Sequence, residues 1–359
     1  MASSRRMLRV KYTAIGVMCA VFIVLPFMAI HHYSPEAFHV LYQATVNEPL
    51  TRIFANAHSH LQIPDHSFNF TQQEYGDLRK ILKDASCGNR TVIITTLNEA
   101  WASQNSMIDL FLESFRQGEG TSFLLKHLII VALDQAAYDR CITLHQHCFT
   151  LRTEGVDFSG EKYFMTEDYL RMMWRRIDFL RIVLELNYSF VFSDADIMWF
   201  RNPFPHFSKE ADFEIACDKY YGNPTDLSNQ PNGGYVHVQA SSRTVDFYKF
   251  WYQSRQEYPG KHDQDVLNRI KFTSSFMEIG LKLRFLNTEY FGGFCQVSKD
   301  LEKVCTMHAN CCTGLERKLQ DLRLVLDDWK RFKSMTPLEK FLGRVYWSAP
   351  RKCVHSLRE

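Results

Sequence analysis

Residues 190–204 read FVFSDADIMWFRNPF, an apolar run that ends in two aspartates one residue apart, Asp194 and Asp196. Carboxylates resist burial unless they are paired or bind a metal. In open α/β sheets, ligands bind beyond the carboxyl ends of the strands. Residues i and i+2 of a strand share a face, so extension through Asp196 would aim both carboxylates the same way. A pair of hard oxygen ligands suits Mg²⁺ or Mn²⁺. Such an ion neutralises a departing diphosphate. The alternative is a turn in which both aspartates accept from backbone amides.

Three further stretches carry residues of the same kind. In PNGGYVHV (231–238), Gly233 and Gly234 precede a strand and permit close approach of the backbone to a ligand. A hairpin turn is the other reading of Asn-Gly. In YPGKHDQDVLN (258–268), Asp263, Gln264 and Asp265 open a helix. Asp263 is a natural N-cap, and acid in the first turn suits the helix dipole. In VCTMHANCCTGLERK (304–318), His308 lies among Cys305, Cys311 and Cys312. A zinc site built from these four is one reading. Disulfides are the favoured one, with His308 left for another metal or as a loop residue. Lys318, downstream, offers a cation for a phosphate.

The elements that must position these residues follow from periodicity. TVIITTL (91–97), HLIIVALD (127–134), YSFVF before Asp194, DFEIACD (212–218) and YVHVQ (235–239) read as strands. Helical spacing runs from Asn105 to Phe115. It is clearest in EDYLRMMWRRIDFLRIVLELNY, where Leu170, Met173, Trp174, Ile177, Leu180 and Leu184 make one apolar face. RTVDFYKFWYQSRQ, DQDVLNRIKF and LERKLQDLRLVLDDWKRF (315–332) also read as helices. Apolar runs alternating with helices predict an α/β fold with a mixed, mostly parallel sheet covered on both faces. Trp199 and Tyr235 are expected in the core rather than as stacking platforms.

Of the 359 residues, 46% are hydrophobic and 23% charged, an ordinary globular balance. A net charge of +2 gives no field for nucleic acid, and no nucleic-acid partner is expected. The N-terminus differs. Basic residues in 1–11 precede an uncharged run over 12–30, about the ~20 residues a membrane helix needs. No small-x-small cleavage site follows, so an uncleaved anchor is expected over a signal peptide. Basic residues before the span place the remainder in the lumen. The expected organisation is a cytosolic tail (1–11), one transmembrane anchor (12–30), a lumenal stem (31–75) and a catalytic domain (76–359). Asn69, Asn89 and Asn187 head N-glycosylation triplets. Nine of the ten cysteines follow the anchor, so disulfides are the default and one thiol is left over.

Taken together, TTLNEAWA, HLIIVALD, MMWRRIDFLR, FSDADIMWFRNPF, PNGGYVHV, FWYQSRQEYPGKHDQDVLN and YFGGFCQ…VCTMHANCC resemble the plant nucleotide-diphospho-sugar transferases of glycosyltransferase family 77. The matching stretches span residues 91–312 in the family's order. The resemblance implies a GT-A fold, a Rossmann-like α/β domain. It implies Asp194, Asp196 and His308 as ligands of Mn²⁺ (or Mg²⁺). Asn232, Gly233 and Gly234 would lie beside the donor sugar. Thr95, Thr96 and Asn98 would meet the nucleotide, and Arg176 would contact substrate. Asp263, Gln264 and Asp265 would be catalytic, under the anomeric carbon. Lys318 would contact the diphosphate, although its spacing from His308 is longer than in distant retaining relatives and lacks their Pro-Trp.

The implied reaction is metal-dependent, retaining transfer of a sugar from a UDP-pentose or UDP-hexose to a glycan or glycoprotein. Golgi residence as a single-pass type II protein goes with it. Asp263 and Asp265 are equal candidates to stabilise an oxocarbenium-like transition state, by nucleophilic or same-face attack. Two other classes compete. One is a non-catalytic glycan or sugar-nucleotide binding protein on the same fold. The other is a metal-dependent phosphohydrolase, where Asp-x-Asp after a strand also occurs. The NGG and HDQD motifs favour the transferase.

Overall fold

The apolar runs assemble into one seven-stranded sheet. The computed structural model describes residues 70–153, 156–342 and 345–355. Helix α1 (Gln72–Ala85) precedes β1 (Thr91–Leu97), α2 (Glu99–Ala102) and α3 (Met107–Gln117). Then come β2 (Leu128–Ala132), α4 (Gln135–Leu144), β3 (Cys148–Thr150) and α5 (Glu167–Glu185). β4 (Ser189–Ser193), β5 (Ile197–Trp199), β6 (Phe213–Lys219) and β7 (Gln230–Val238) follow. They lead to α6 (Ser242–Ser254), α7 (Asp263–Ile270) and α8 (Ser274–Ile279). The chain continues through β8 (Leu283–Phe285), β9 (Phe291–Gly293), β10 (Thr306–His308), α9 (Leu315–Ser334) and α10 (Pro337–Leu342).

The sheet order is β3-β2-β1-β4-β7-β6-β8. β1, β2, β3 and β4 are mutually parallel, as are β6 and β8, while β7 runs antiparallel to both β4 and β6. The sheet is therefore mixed and mostly parallel, as expected. Strand order turns back between β1 and β4, which opens a crevice at their carboxyl ends. Asn98 follows β1 and Asp194 follows β4, so both lie at that edge.

Each face of the sheet carries its own core. One contains Phe111, Trp199 and Trp329 and is closed by α3 and α9. The other contains Phe179, Phe190 and Trp251 and is closed by α1, α5 and α6. Each such side chain contributes roughly 1.5–3 kcal/mol on burial. Trp199 and Tyr235 are core residues, as expected. α5 forms where the apolar stripe predicts it. Thr166 caps it by accepting from Tyr169 N, and Glu167 and Asp168 suit its dipole.

A second, three-stranded sheet has the order β5-β10-β9. It pairs His308 with Ile197, the residue after Asp196. Disulfides join Cys141 to Cys148, Cys295 to Cys311 and Cys312 to Cys353. Cys311 and Cys312 are thus in separate bridges, which removes the zinc reading. The expectation of one leftover thiol is corrected: among the described residues Cys87, Cys217 and Cys305 are all thiols. Cys217 and Cys305 are buried.

The expected tail, anchor and stem, as far as residue 69 and with Asn69, lie outside the described residues. Among the described residues no helix is long and apolar enough to cross a membrane.

Candidate functional site

β4 stops at Ser193, so the extension expected through Asp196 does not persist. Residues 194–197 instead make a turn in which Ile197 N donates to Asp194 O. The convergence expected of the two carboxylates is nonetheless reached, by the turn and by β10. Ligand atoms of Asp194, Asp196 and His308 all lie within 4.8 Å of one another. Neither carboxylate spends itself on backbone amides. Asp194 Oδ1 accepts from Arg176 Nη1 at 3.0 Å, and Asp196 Oδ2 from Lys318 Nζ at 2.7 Å. Asp196 Oδ1 lies 3.2 Å from His308 Nε2 but is buried with no hydrogen-bond donor.

Charge explains how this cluster stays folded. Burial would raise Asp196, but Lys318 and His308 outweigh it and hold its carboxyl well below the usual carboxylate range. Burial raises Asp194, and Asp196 adds to this, although Arg176 opposes it. The donor set fits a hard divalent cation on three counts. It offers two carboxylates and an imidazole, one buried oxygen lacks a donor, and the space beside it is kept clear by a missing side chain. That space is the work of Gly234. A Cβ there would lie 2.6 Å from both Asp194 Oδ2 and His308 Cε1.

Asn232, Gly233 and Gly234 do not form a turn before a strand; they lie inside β7. Opposite them the register jumps from Val236 against Ile215 to Asn232 against Ala216, so the glycine segment bulges from β6. Gly234 O accepts from Asp194 N at 2.7 Å, which brings β7 against the Asp194–Asp196–His308 cluster. This close approach, and not a hairpin, is why glycine is needed.

Asp263 is the first residue of α7 rather than its cap. His262 is the cap, with Nδ1 accepting from Gln264 N. The Asp263 carboxylate turns inward because Arg176 Nη2 donates to it at 2.6 Å. Burial would raise it, but Arg176 and His262 outweigh this and hold it at about 2. Gln264 accepts from Gly233 N at 3.0 Å and donates to Asp218 Oδ2 at 2.8 Å. Asp265 remains open, with 42% of its side chain exposed and Oδ2 3.7 Å from His262 Nε2.

The remaining expected residues divide. Lys318 is in the cluster, and its ammonium lies 5.5 Å from the Trp101 ring centroid. Arg176 is there too, as a buried link between Asp194 and Asp263. Thr95 is fully buried in β1 with Oγ1 lacking a donor or acceptor, and Thr96 is half-buried next to it. Asn98 is committed elsewhere. Its Oδ1 accepts from Trp101 N, and Nδ2 donates to the carbonyls of Phe158 and Gly160.

Asp218 escaped the sequence reading. It accepts from Asn232 Nδ2, Asn310 Nδ2 and Gln264 Nε2, each at 2.8 Å. It ties β7, the segment after β10 and α7 together behind the site. An aspartate near the carboxyl end of a predicted strand was the available signal. The Arg201 guanidinium donates to the carbonyls of Leu301 and Val304 and pairs with Glu119.

A family model described as nucleotide-diphospho-sugar transferase matches residues 123–322, more than half of the chain. The chain belongs to the nucleotide-diphospho-sugar transferase family. The resemblance drawn from the motifs is thereby borne out. The matched residues of the transferase include Asp194, Asp196, Asp218, the NGG and DQD segments, His308 and Lys318. An uncharacterized protein of Arabidopsis thaliana, At4g15970, is 52% identical over 285 residues, 79% of this chain and 75% of the relative. A second, At1g28695, is 41% identical over 293 residues, 80% of this chain and 86% of the relative. Arabinosyltransferase RRA2 of the same plant is 24% identical over 224 residues, 60% of this chain and 46% of the relative.

Proposed function

We propose that this transferase moves a sugar from a UDP-pentose or UDP-hexose to a glycan or glycoprotein acceptor, with retained configuration, on a GT-A fold. The observation that carries the reading is the Asp194–Asp196–His308 convergence at the carboxyl edge of β4, with ligand atoms within 4.8 Å. These three would hold Mn²⁺ (or Mg²⁺), which supplies Lewis-acid stabilisation of the leaving diphosphate. Lys318 adds an ammonium at the same edge for a phosphate oxygen. Arg176 fixes Asp194 and keeps Asp263 ionised. Because Asp263 is taken up by Arg176, Asp265 is the carboxylate of the pair open to a reacting sugar. Arabinose is the donor sugar favoured by the likeness to RRA2.

The three disulfides support an oxidising compartment, and the uncharged run over 12–30 supports a membrane anchor. The proposed location is the Golgi membrane, single-pass type II, with the catalytic domain lumenal. The deciding experiment is UDP release from a panel of UDP-sugars by the purified protein with Mn²⁺. Release from at least one is expected, abolished by EDTA and lowered about a hundredfold or more in Asp196→Ala. Inorganic phosphate freed from a phosphoester without sugar transfer would replace the reading with a phosphohydrolase. Glycan binding with no UDP release would replace it with a binding protein.

A further inference from the structure

Residues 158–166 cross the edge of the crevice. Asn98 Nδ2 holds the Phe158 and Gly160 carbonyls at 3.2 and 2.8 Å, and Leu315 N donates to Glu161 Oε1 at 2.8 Å. The segment is thus tied to the end of β1 and to the start of α9, the helix that carries Lys318. Past these ties, two adjacent aromatics stand in solvent: Tyr163 is 67% exposed and Phe164 56%. Phe164 is not isolated. Its ring centroid lies 5.4 Å from that of His262 and 5.4 Å from that of Tyr169. His262 reaches inward, with its ring nitrogens 3.6 Å from Asp263 Oδ1 and 3.7 Å from Asp265 Oδ2. The exposed Phe164 ring is therefore joined through the His262 ring to the DQD segment.

Exposed aromatic surface next to a polar crevice marks a ligand face rather than a packing face. Its chemistry suits a sugar ring. One face of a sugar ring is C–H and stacks on an aromatic ring, while its hydroxyls need acceptors such as the open Asp265 carboxylate. The diphosphate end of a donor belongs at the metal ligands and Lys318. The aromatic surface lies instead at the DQD end, where the transferring sugar meets what attacks it.

We propose that Phe164, with the exposed Tyr163 next to it in the chain, is the acceptor platform of this enzyme, on which a sugar ring of a glycan acceptor stacks, with the Asp265 carboxylate at its edge to accept from the ring's hydroxyls. The inference rests on the transferase reading above. It assigns the acceptor class, a carbohydrate and not the bare side chain of a protein, to a surface separate from the metal ligands.

The test uses the purified full chain in three forms: wild type, Tyr163→Ala/Phe164→Ala and Phe164→Tyr. Saturation-transfer NMR reads binding of methyl arabinofuranoside, methyl xyloside and methyl galactoside in the presence of UDP and Mn²⁺. Calorimetry reads binding of UDP with Mn²⁺ separately. At least one glycoside is expected to receive saturation from wild type. Its affinity should fall about tenfold or more in the double variant and persist in Phe164→Tyr, as for truncating an aromatic anchor. UDP affinity should stay within about twofold in all three, which also shows that the variants fold. No glycoside signal with wild type, or an unchanged signal in the double variant, overturns the proposal. So does a matching fall in UDP affinity, which would place the nucleoside on these rings. Failure of wild type to bind UDP at all would refute the transferase reading, while platform-dependent glycoside binding would still stand.

Discussion

Arg176 Nη2 lies 2.6 Å from Asp263 Oδ2 in the buried wall of the crevice, while Nη1 of the same guanidinium holds Asp194 Oδ1 at 3.0 Å. One planar group therefore sets the distance between the Asp194–Asp196 turn and the DQD helix. Its plane also lies over the Phe192 ring, with the guanidinium carbon 4.8 Å from the centroid, so rotation is restricted. Lysine cannot make both bonds, because an ammonium is a point charge and not a fork.

Arg176→Lys should lower the melting temperature and reduce UDP-sugar turnover together. Arg176→Met should be worse, because Asp263 is left as a buried charge with only the more distant His262 ring beside it, a loss of about 3–5 kcal/mol. Arg176→Met/Asp263→Asn should recover much of that stability but not the activity. Thermal melts of the three variants beside UDP-release rates check this. Equal stability of Arg176→Met and wild type would remove the clamp.

Asp263 also sets an acid limit. Its folded value, about 2, lies below the ordinary carboxylate value. A depressed carboxylate contributes stability above its unfolded value and loses it as pH falls through the folded one. The contribution is about 2 kcal/mol, present above pH ~4 and lost between pH ~4 and ~2. Urea unfolding of wild type and Asp263→Asn should show a stability gap that narrows over that window. A gap that stays constant would contradict the assignment.

Gly234→Ala places a methyl group 2.6 Å from Asp194 Oδ2 and His308 Cε1, so these side chains must shift. The strain is expected to cost about 1–3 kcal/mol. It should be relieved by moving the metal ligands, so Mn²⁺ affinity falls by more than stability does. Gly233→Ala meets its nearest atom, Asp263 Oδ2, only at 3.3 Å and should be milder. Mn²⁺ titration of the two variants ranks them. The reverse order would show that the strand does not approach the ligands as described.

Asp218→Asn keeps the size of the side chain but turns an acceptor into a donor facing Gln264 Nε2, now accepted at 2.8 Å. One amide is then left without a partner, at about 1–3 kcal/mol. Gln264 should swing away, freeing Gly233 N, and turnover should fall while Mn²⁺ affinity holds. Loss of Mn²⁺ binding equal to the loss of turnover would mean that Asp218 acts on the metal ligands instead.

The strands and long helices were legible because their signal is local. TVIITTL, the i, i+3, i+4 stripe of α5 and the amphipathic pattern of α9 each carry their burial in consecutive residues. The motif order also led to the family. The partner of each polar side chain was not legible. Nothing near Asn98 says that its amide holds Phe158 and Gly160, and nothing near Asp218 says that it gathers three amides. Asp263 was assigned a cap by local rule, but a guanidinium 87 positions away outbid the helix terminus for its carboxylate.

The amino-acid sequence by itself determined the α/β architecture, the transferase family and the three residues able to ligate a metal, since residue type and spacing carry all of these. Tertiary structure alone decided that β4 ends before Asp194, that the NGG segment lies within a strand and that His308 meets Asp196 through β10. Each of those depends on contacts between elements far apart in the chain. A buried charge settles on whichever opposite charge the packed fold brings to it, and spacing along the sequence does not specify that choice.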